Sequence, residues 1–569
     1  MVSSIPSSSP SIASAPVSRR DVVRLGGVGL AAFTALVSGG RYASSAERVV
    51  AAAVLPAAQA SGQFVIGTWT EPATLLSGAP VSGASYQQIQ GIIANGLTRL
   101  GYPDFAVQPD LAESWTVSPD GLVYTFTLRQ GVTWQDGQPF DVNDIKFTYE
   151  LVTDPAWPGA LDSYFSVVLG AREKKAGTAT EITGLRVIDE RTVEFTLTQP
   201  DTLFIASAVS RQRVLPRHLL EGQNPADIDK TDFARKPVYT GPYIVEEWRA
   251  GEGITFRANS AYFGGAPAVE TIIARFIPDA ATAIAELQSG GIQASLVAPD
   301  QFDQFVGNPD FTTQELPGLR IIYLQFDLTL PIFQDPRVRK AFSHSIDRDT
   351  VIQALYLNRA DPAINFIPDL SPYANPNVTQ YPFDTAAADA LLTEAGWTPG
   401  EDGVRVNAAG ERLAFQLTVP VANRQDGLAI QPFLQEIGAE VEIIEQGAGQ
   451  NTGPLRTGEY QAAIGAWNNF IIDPRADLQR TFQNPRPTDS SGYRNDQVDQ
   501  LFLEARGSLD PQAEIALYHQ IAELVAQDEP YVFLWRQHDL LVASNQLTLP
   551  AVQSLSELYA RLPEWQATS

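Results

Sequence analysis

Cysteine is absent from the 569-residue sequence, and its single methionine is Met1. The missing thiols exclude disulfides, thiolate metal sites, a cysteine nucleophile and a lipidated N-terminal cysteine. With no internal methionine either, a soft metal has no sulfur ligand. Histidine is scarce: His218, His344, His519 and His538 stand singly, without metal-ligand spacing, so a directly protein-ligated metal is not expected. Lysine supplies only six of the 39 basic residues, which we read as coding bias. Basic charge as a whole falls short of the 65 acidic residues, for a formal net charge of −26. Residues 1–60 hold five arginines and two acids, which leaves 34 basic against 63 acidic residues, or −29, for the remainder. A body that acidic repels nucleic acid and anionic lipid, so neither is an expected partner.

Catalytic signatures are missing too. There is no Gly-x-Ser-x-Gly, no His-Glu-x-x-His and no Gly-x-x-x-x-Gly-Lys-Ser/Thr, and therefore no motif for a hydrolase nucleophile, a zinc protease or a nucleotide phosphate. Gly27-Val28-Gly29 has no strand before it, and Gly447-Ala448-Gly449 lacks the third glycine of a dinucleotide loop. No cofactor is expected. Carboxylate pairs such as Glu246-Glu247 are common in an acidic chain and have no positional claim to acid/base work. A long apolar run is also lacking: the uncharged stretch Leu25 to Val37 is shorter than the ~20 residues a membrane span needs. Preceded by Ser18-Arg19-Arg20-Asp21-Val22-Val23-Arg24, it resembles a twin-arginine export signal. Small-x-small cleavage sites follow at Ser44-Ser45-Ala46 and Ala58-Gln59-Ala60; the second is favoured because sheet-like sequence begins at Gln63. Retention of the segment as an anchor is the alternative.

What is present is clearest from Pro109 to Glu150. Asp120-Gly121 and Asp136-Gly137 are turn dipeptides, since both residue types tolerate the positive φ of tight turns. Between them Leu122, Tyr124, Phe126 and Leu128 alternate with Val123, Thr125, Thr127 and Arg129, the period-two pattern of a half-buried strand. Asp141, with Asp144 three residues on, predicts a helix N-cap and an acidic first turn. Elsewhere Phe64 to Gly67 predicts a strand, Tyr86 to Leu97 a helix with Ile89, Ile92 and Ile93 inward, and Val187 to Leu197 a hairpin around Asp189-Glu190-Arg191. His218 is expected on the surface at a helix start. Arg337, Arg339 and Arg348 with Asp335 and Asp347 predict a structural ion-pair network.

These segments resemble, in order, the signature of the family 5 extracytoplasmic solute-binding proteins, receptors of oligopeptide, dipeptide and nickel ABC importers. Further matching segments are Pro237-Val238-Tyr239-Thr240-Gly241-Pro242-Tyr243, with Tyr239 where the family has Gly; Asn259-x-x-Tyr262-Phe263-Gly264-Gly265-x-Pro267; Phe333 to Phe342 followed by Ser345-Ile346-Asp347-Arg348; and Leu391 to Trp397. The resemblance covers nearly everything from 63 to about 540. It implies an α/β, periplasmic-binding-protein-like type II fold, with two lobes around a ligand cleft plus an inserted third domain. The expected division is a signal and linker over 1–60, a discontinuous first lobe (62–95, 187–277 and 530–569), an inserted domain (96–186) and a second lobe (278–529).

In peptide-binding relatives an Asp shortly after a Trp neutralises the ligand's α-ammonium. The corresponding segment here is Gly465-Ala466-Trp467-Asn468-Asn469-Phe470-Ile471-Ile472-Asp473-Pro474-Arg475. Phe470 falls at the ammonium-binding position and Arg475 at a later acidic one. An aromatic ring there leaves a buried ammonium without its partner, unless Asp473 takes over. The expected ligand-binding residues are Trp69, Thr70, Glu71, Tyr239, Gln325, Trp467, Asn468, Asn469, Phe470 and Asp473. The aromatics would supply flat apolar surface; Asn468, Asn469 and Gln325 would supply hydrogen bonds. The expected protein is a monomeric, exported receptor rather than an enzyme. It would take a small organic solute, peptide-like, glycoside or opine-like, and deliver it to an ABC permease. The alternatives are a sensing protein for a receptor kinase or chemoreceptor, and a secreted hydrolase on the same scaffold.

Overall fold

The computed structural model of the protein describes residues 62–67, 70–79, 84–102, 106–159, 161, 164–447, 458–468, 475–484 and 491–568. Three sheets organise them. A seven-stranded sheet runs in the order Phe311–Leu316, Asp539–Ser544, Ala294–Leu296, Gln63–Ile66, Thr271–Arg275, Gly253–Ala258, Tyr243–Arg249. A six-stranded sheet has the order Ala360–Pro362, Tyr531–Gln537, Arg320–Phe326, Ala462–Asn468, Ala414–Pro420, Glu440–Gln446. A four-stranded sheet is built from Ala112–Val117, Val123–Leu128, Thr192–Thr196 and Leu185–Val187.

The local expectations are met where the sequence signal was local. In Val123–Leu128, Tyr124, Phe126 and Leu128 are buried while the residues between them are half-buried. Asp141 caps the helix Val142–Val152 by accepting from the Asn143 amide at 2.7 Å, and Asp144 returns a bond from the Asp141 amide at 3.0 Å, the reciprocal arrangement that satisfies two orphan donors at once. In the helix Ala84–Ile93, Ile89, Ile92 and Ile93 are fully buried. His218 opens the short helix Arg217–Leu220 and lies 2.7 Å from Asp136. The expected ion-pair network is only partly one: Arg337 pairs with Asp335 at 2.6 Å, whereas Arg339 and Arg348 spend donors on backbone carbonyls, including those of Glu529 and Phe533. Among the described residues no helix is long and apolar enough to cross a membrane.

Burial assigns the sheets to bodies, and here the expected boundaries move. One core fills the space between the seven-stranded and four-stranded sheets, joining Phe126 and Phe195 to Phe256, Ile272 and Trp565. The inserted unit does not stop at 186, because that point cuts the hairpin whose second strand, Thr192–Thr196, pairs with Val123–Leu128. The first lobe does not give way at 277. The helix Ala280–Ser289 packs Ala283 and Leu287 against Val65 and Val542, and the strands Ala294–Leu296 and Phe311–Leu316 belong to the seven-stranded sheet. At the other end Tyr531–Gln537 belongs to the six-stranded sheet, so the return falls after 537, not at 529. The six-stranded sheet buries both faces: Ile322, Leu324 and Phe326 on one, Ile321 and Tyr323 on the other, the alternation a two-sided strand must show.

The chain thus passes between the two bodies through residues 317–319 and again at His538. His538 bridges them, with Nδ1 2.7 Å from Glu315 on the seven-stranded side and Nε2 2.9 Å from Asp361 on the six-stranded side. Burial opposes charge on the imidazole, but the two carboxylates outweigh it and raise its pKa above the ordinary value. Arg359 binds Glu315 and Asp303 beside it. At the first crossing Gly318 lies so close to the second that a Cβ would be driven into the Gln537 carbonyl oxygen. Gly318→Ala is therefore expected to lower stability by about 1–3 kcal/mol through forced backbone displacement; an unchanged urea midpoint would refute the close approach.

Candidate functional site

The seam between the bodies is where the sequence placed the solute. Its six-stranded side begins at Arg320, the first residue after the crossing. Its guanidinium reaches Asn423 Oδ1 at 3.2 Å, and Asn423 in turn donates to Asp426 Oδ2 at 2.9 Å. Buried Asp426 also accepts from the Tyr356 hydroxyl and from Trp535 Nε1 at 3.1 Å. The half-buried Arg320 is thereby positioned by a satisfied polar network rather than by a direct carboxylate. Across the seam is Asp539, pushed up to about 7 by removal from solvent against the pull of His538 and Arg320.

Strand register decides which expected residues come together. Ala462–Asn468 runs antiparallel to Arg320–Phe326, setting Asn468 opposite Arg320 and Trp467 opposite Ile321. Trp467 is half-buried, edge-to-face with Phe366 at 5.2 Å. Gln325 pairs instead with Ala463, four residues further along, about 13 Å away at ~3.3 Å per residue. It is buried, so it does not join Trp467 at the seam; the expectation failed because a residue's place along a strand is set by its partner strand. Thr70 is tied at its amide and hydroxyl to Ser85 Oγ, both at 3.0 Å. Glu71 accepts from Trp248 Nε1 at 2.9 Å and from the Gly251 amide at 3.0 Å, which anchors the loop to the hairpin of Tyr243–Arg249 and Gly253–Ala258.

Tyr239 is corrected to a structural role. Its ring is fully buried, and its hydroxyl accepts from the Ser77 amide at 2.8 Å and donates to the Leu75 carbonyl at 3.0 Å. A phenol so enclosed clips the 75–77 turn to the core. Trp69, Asn469, Phe470 and Asp473 lie outside the described residues, and Asn468 is described at its backbone alone.

Arg475, the second departure from the family pattern, proves to be neutralised internally. It is buried and pairs with buried Glu514 at 2.8 Å, with its guanidinium 4.7 Å from the Tyr373 ring centroid. Glu514 also accepts from Thr202 Oγ1 at 2.7 Å and the Tyr373 hydroxyl at 3.3 Å. Thr202 and its neighbour Asp201, which binds Arg506, follow the four-stranded sheet, so this cluster ties the two bodies away from the crossings. Sequence reasoning missed Arg320, Asn423, Asp426 and Glu514. Their partners are 103 residues apart for Arg320–Asn423 and 39 for Arg475–Glu514, and no local pattern marks such pairs. Among the described residues no group of three or more His, Asp or Glu is placed to hold a metal ion.

Comparison with known proteins fits this geometry. Residues 106–489 match the family model described as bacterial extracellular solute-binding proteins, family 5 Middle. The oligopeptide-binding protein AppA of Bacillus subtilis (strain 168) is 26% identical over 529 residues, covering 91% of this chain and 93% of AppA. The dipeptide-binding protein of Escherichia coli (strain K12) is 27% identical over 462 residues, covering 79% and 84%. Among solved structures, AppA from Bacillus subtilis in complex with a nonapeptide superposes with a TM-score of 0.75 at 24% identity, covering 89% of this chain and 99% of that one. NikZ from Campylobacter jejuni in complex with Ni(L-His) gives the same TM-score, identity and coverages.

Proposed function

The chain belongs to the bacterial extracellular solute-binding proteins of family 5, and from that premise we propose that it is an exported receptor that closes around a small organic solute and delivers it to an ABC importer. The observation that carries the proposal is the pair of adjacent crossings at 317–319 and 538 between two separately cored bodies. Two adjacent chain passages between bodies that each bury their own apolar faces are what hinge closure around a ligand requires. The twin-arginine-type segment supports export, and AppA and the dipeptide-binding protein support a peptide-like solute class.

The solute we propose lacks a free α-ammonium: a blocked peptide, a glycoside or an opine-like molecule. Phe470 stands at the position that would need a carboxylate, and the Arg475 charge is consumed by Glu514. Thermal-shift screening of purified protein should give selective stabilisation by blocked peptides or glycosides, and Phe470→Asp should create affinity for free dipeptides. Strong stabilisation of the unsubstituted protein by ordinary free di- or tripeptides would overturn the solute class while leaving the receptor standing. Catalytic turnover of a bound peptide or glycoside would overturn the receptor itself in favour of a hydrolase.

A further inference from the structure

A cavity lies on the seven-stranded body, away from the seam. It encloses about 430 Å³ between the helix Ala84–Ile93, the strand Thr98–Leu100, residues 210–213 and the helix Leu555–Ala560. Neither Arg320, Trp467 nor Thr70 lines it. Four arginines do: Arg99, Arg129, Arg211 and Arg213. Three of them hydrogen-bond to backbone carbonyls, from Arg99 Nε to Pro109 at 3.4 Å, Arg129 Nε to Asp110 at 2.5 Å and Arg213 Nη1 to Ser210 at 2.8 Å. Among the described residues the buried Nε atoms of Arg211 and Arg213 have no hydrogen-bond partner, and none of the four arginines makes an ion pair with a carboxylate.

The acids nearby do not balance them. Asp110 is buried and committed to Asn95 Nδ2 at 2.8 Å and the Gly96 amide at 3.2 Å. Burial pushes its pKa up to about 6 against the pull of Arg213 and Arg99, so near neutral pH it supplies one negative charge against four guanidinium groups. Glu564, also on the wall, is paired with Arg561 at 2.7 Å. Arg99 and Arg213 both act on Tyr102, and Arg99 and Arg129 both act on Tyr262, so the guanidinium groups converge on shared neighbours. In a chain whose acids outnumber its bases by 65 to 39, such a concentration of unbalanced positive charge is a feature to be accounted for by its occupant.

We propose that this cavity binds a small organic polyanion through its carboxylate or phosphate oxygens. Guanidinium forks match both oxyanions in bidentate geometry, the volume suits a small molecule rather than a bare ion, and the rings of Tyr102, Tyr262 and Phe263 supply apolar wall. The site is independent of the solute seam, so its test does not depend on the receptor's cargo. Isothermal titration of the purified full chain with citrate and with pyrophosphate, at ionic strength matched with sodium chloride, should show saturable binding of at least one. Binding of citrate alone identifies carboxylates as the ligand chemistry, and of pyrophosphate alone phosphates. Arg211→Gln with Arg213→Gln should weaken it at least tenfold, Arg99→Gln should weaken it on a surface position that spares the fold, and Arg320→Gln should leave it unchanged. Absence of saturable binding by both probes, or binding unaltered in the Arg99 and Arg211/Arg213 variants, would overturn the site.

Discussion

Glu514→Ala is expected to cost the fold about 3–5 kcal/mol, the range for stripping one partner from a buried ion pair. The magnitude follows from what the carboxylate holds. Arg475 and Glu514 have side chains only 8% and 5% exposed, so the guanidinium left behind has little water to turn to. The Thr202 and Tyr373 hydroxyls lose their acceptor at the same time. An apolar double replacement, Arg475→Met with Glu514→Leu, should recover most of the loss, because two desolvated charges are removed together. Urea denaturation of the single and double variants makes the comparison. A single variant within 1 kcal/mol of the parent protein, or a double variant no better than the single, would show that the pair is not what stabilises this region.

The second large effect is a dependence of stability on pH. Glu529 follows the helix Pro511–Asp528 in a left-handed conformation, φ 45°, and is buried. Burial pushes its pKa up from 4.5 to about 8, against a hydrogen bond with Ser343 and the charges of Arg348, Arg339 and Lys340. Between those two values the folded protein keeps a proton that the unfolded chain has released, so stability falls as pH rises from about 4.5 to about 8 and levels off beyond it. Asp539, raised to about 7, and Asp110, raised to about 6, tilt the curve the same way over narrower windows. Raised His538 adds to the fall once pH passes its ordinary value. Glu529→Gln mimics the protonated acid and should flatten the slope, making the variant more stable than the parent at pH 8.5 by ~3–5 kcal/mol. Equal urea midpoints for the parent at pH 5 and pH 8.5 would contradict this.

The sequence was most legible where its physics is local. The alternation of Tyr124, Phe126 and Leu128, the capping pair Asp141 and Asp144, and the isoleucines of Ala84–Ile93 each depend on neighbours within one turn or one strand, and each is found as expected. Lobe boundaries were not legible, because sheet membership is settled by remote pairing: Phe311–Leu316 is claimed by Asp539–Ser544, more than two hundred residues later. The candidate site divides in the same way. Trp467 and Asn468 reach the seam through the register of one strand pair, while Gln325, expected beside them, is carried to the far end of its strand by that same register. Tyr239 was misplaced because what surrounds it, Leu75 and Ser77, lies about 160 residues earlier. Arg475 stands where the family pattern has an acid, and the carboxylate that neutralises it, Glu514, comes from 39 residues further along the chain, beyond the reach of any local pattern.

The double passage between the bodies also orders the molecule's assembly. The six-stranded body is one uninterrupted stretch, 320–537, whose ends meet at the Arg320 and Gln537 side chains, 3.5 Å apart. It holds all its own strands and can complete its sheet as soon as that stretch is available. The seven-stranded sheet cannot. Asp539–Ser544 sits between Ala294–Leu296 and Phe311–Leu316, so both older strands keep an unpaired edge until residues 539–544 have been synthesised. Such delayed, long-range pairing is intrinsically slow and leaves sticky edges exposed. The body that carries Gln63–Ile66, the first strand among the described residues, is therefore the last to close.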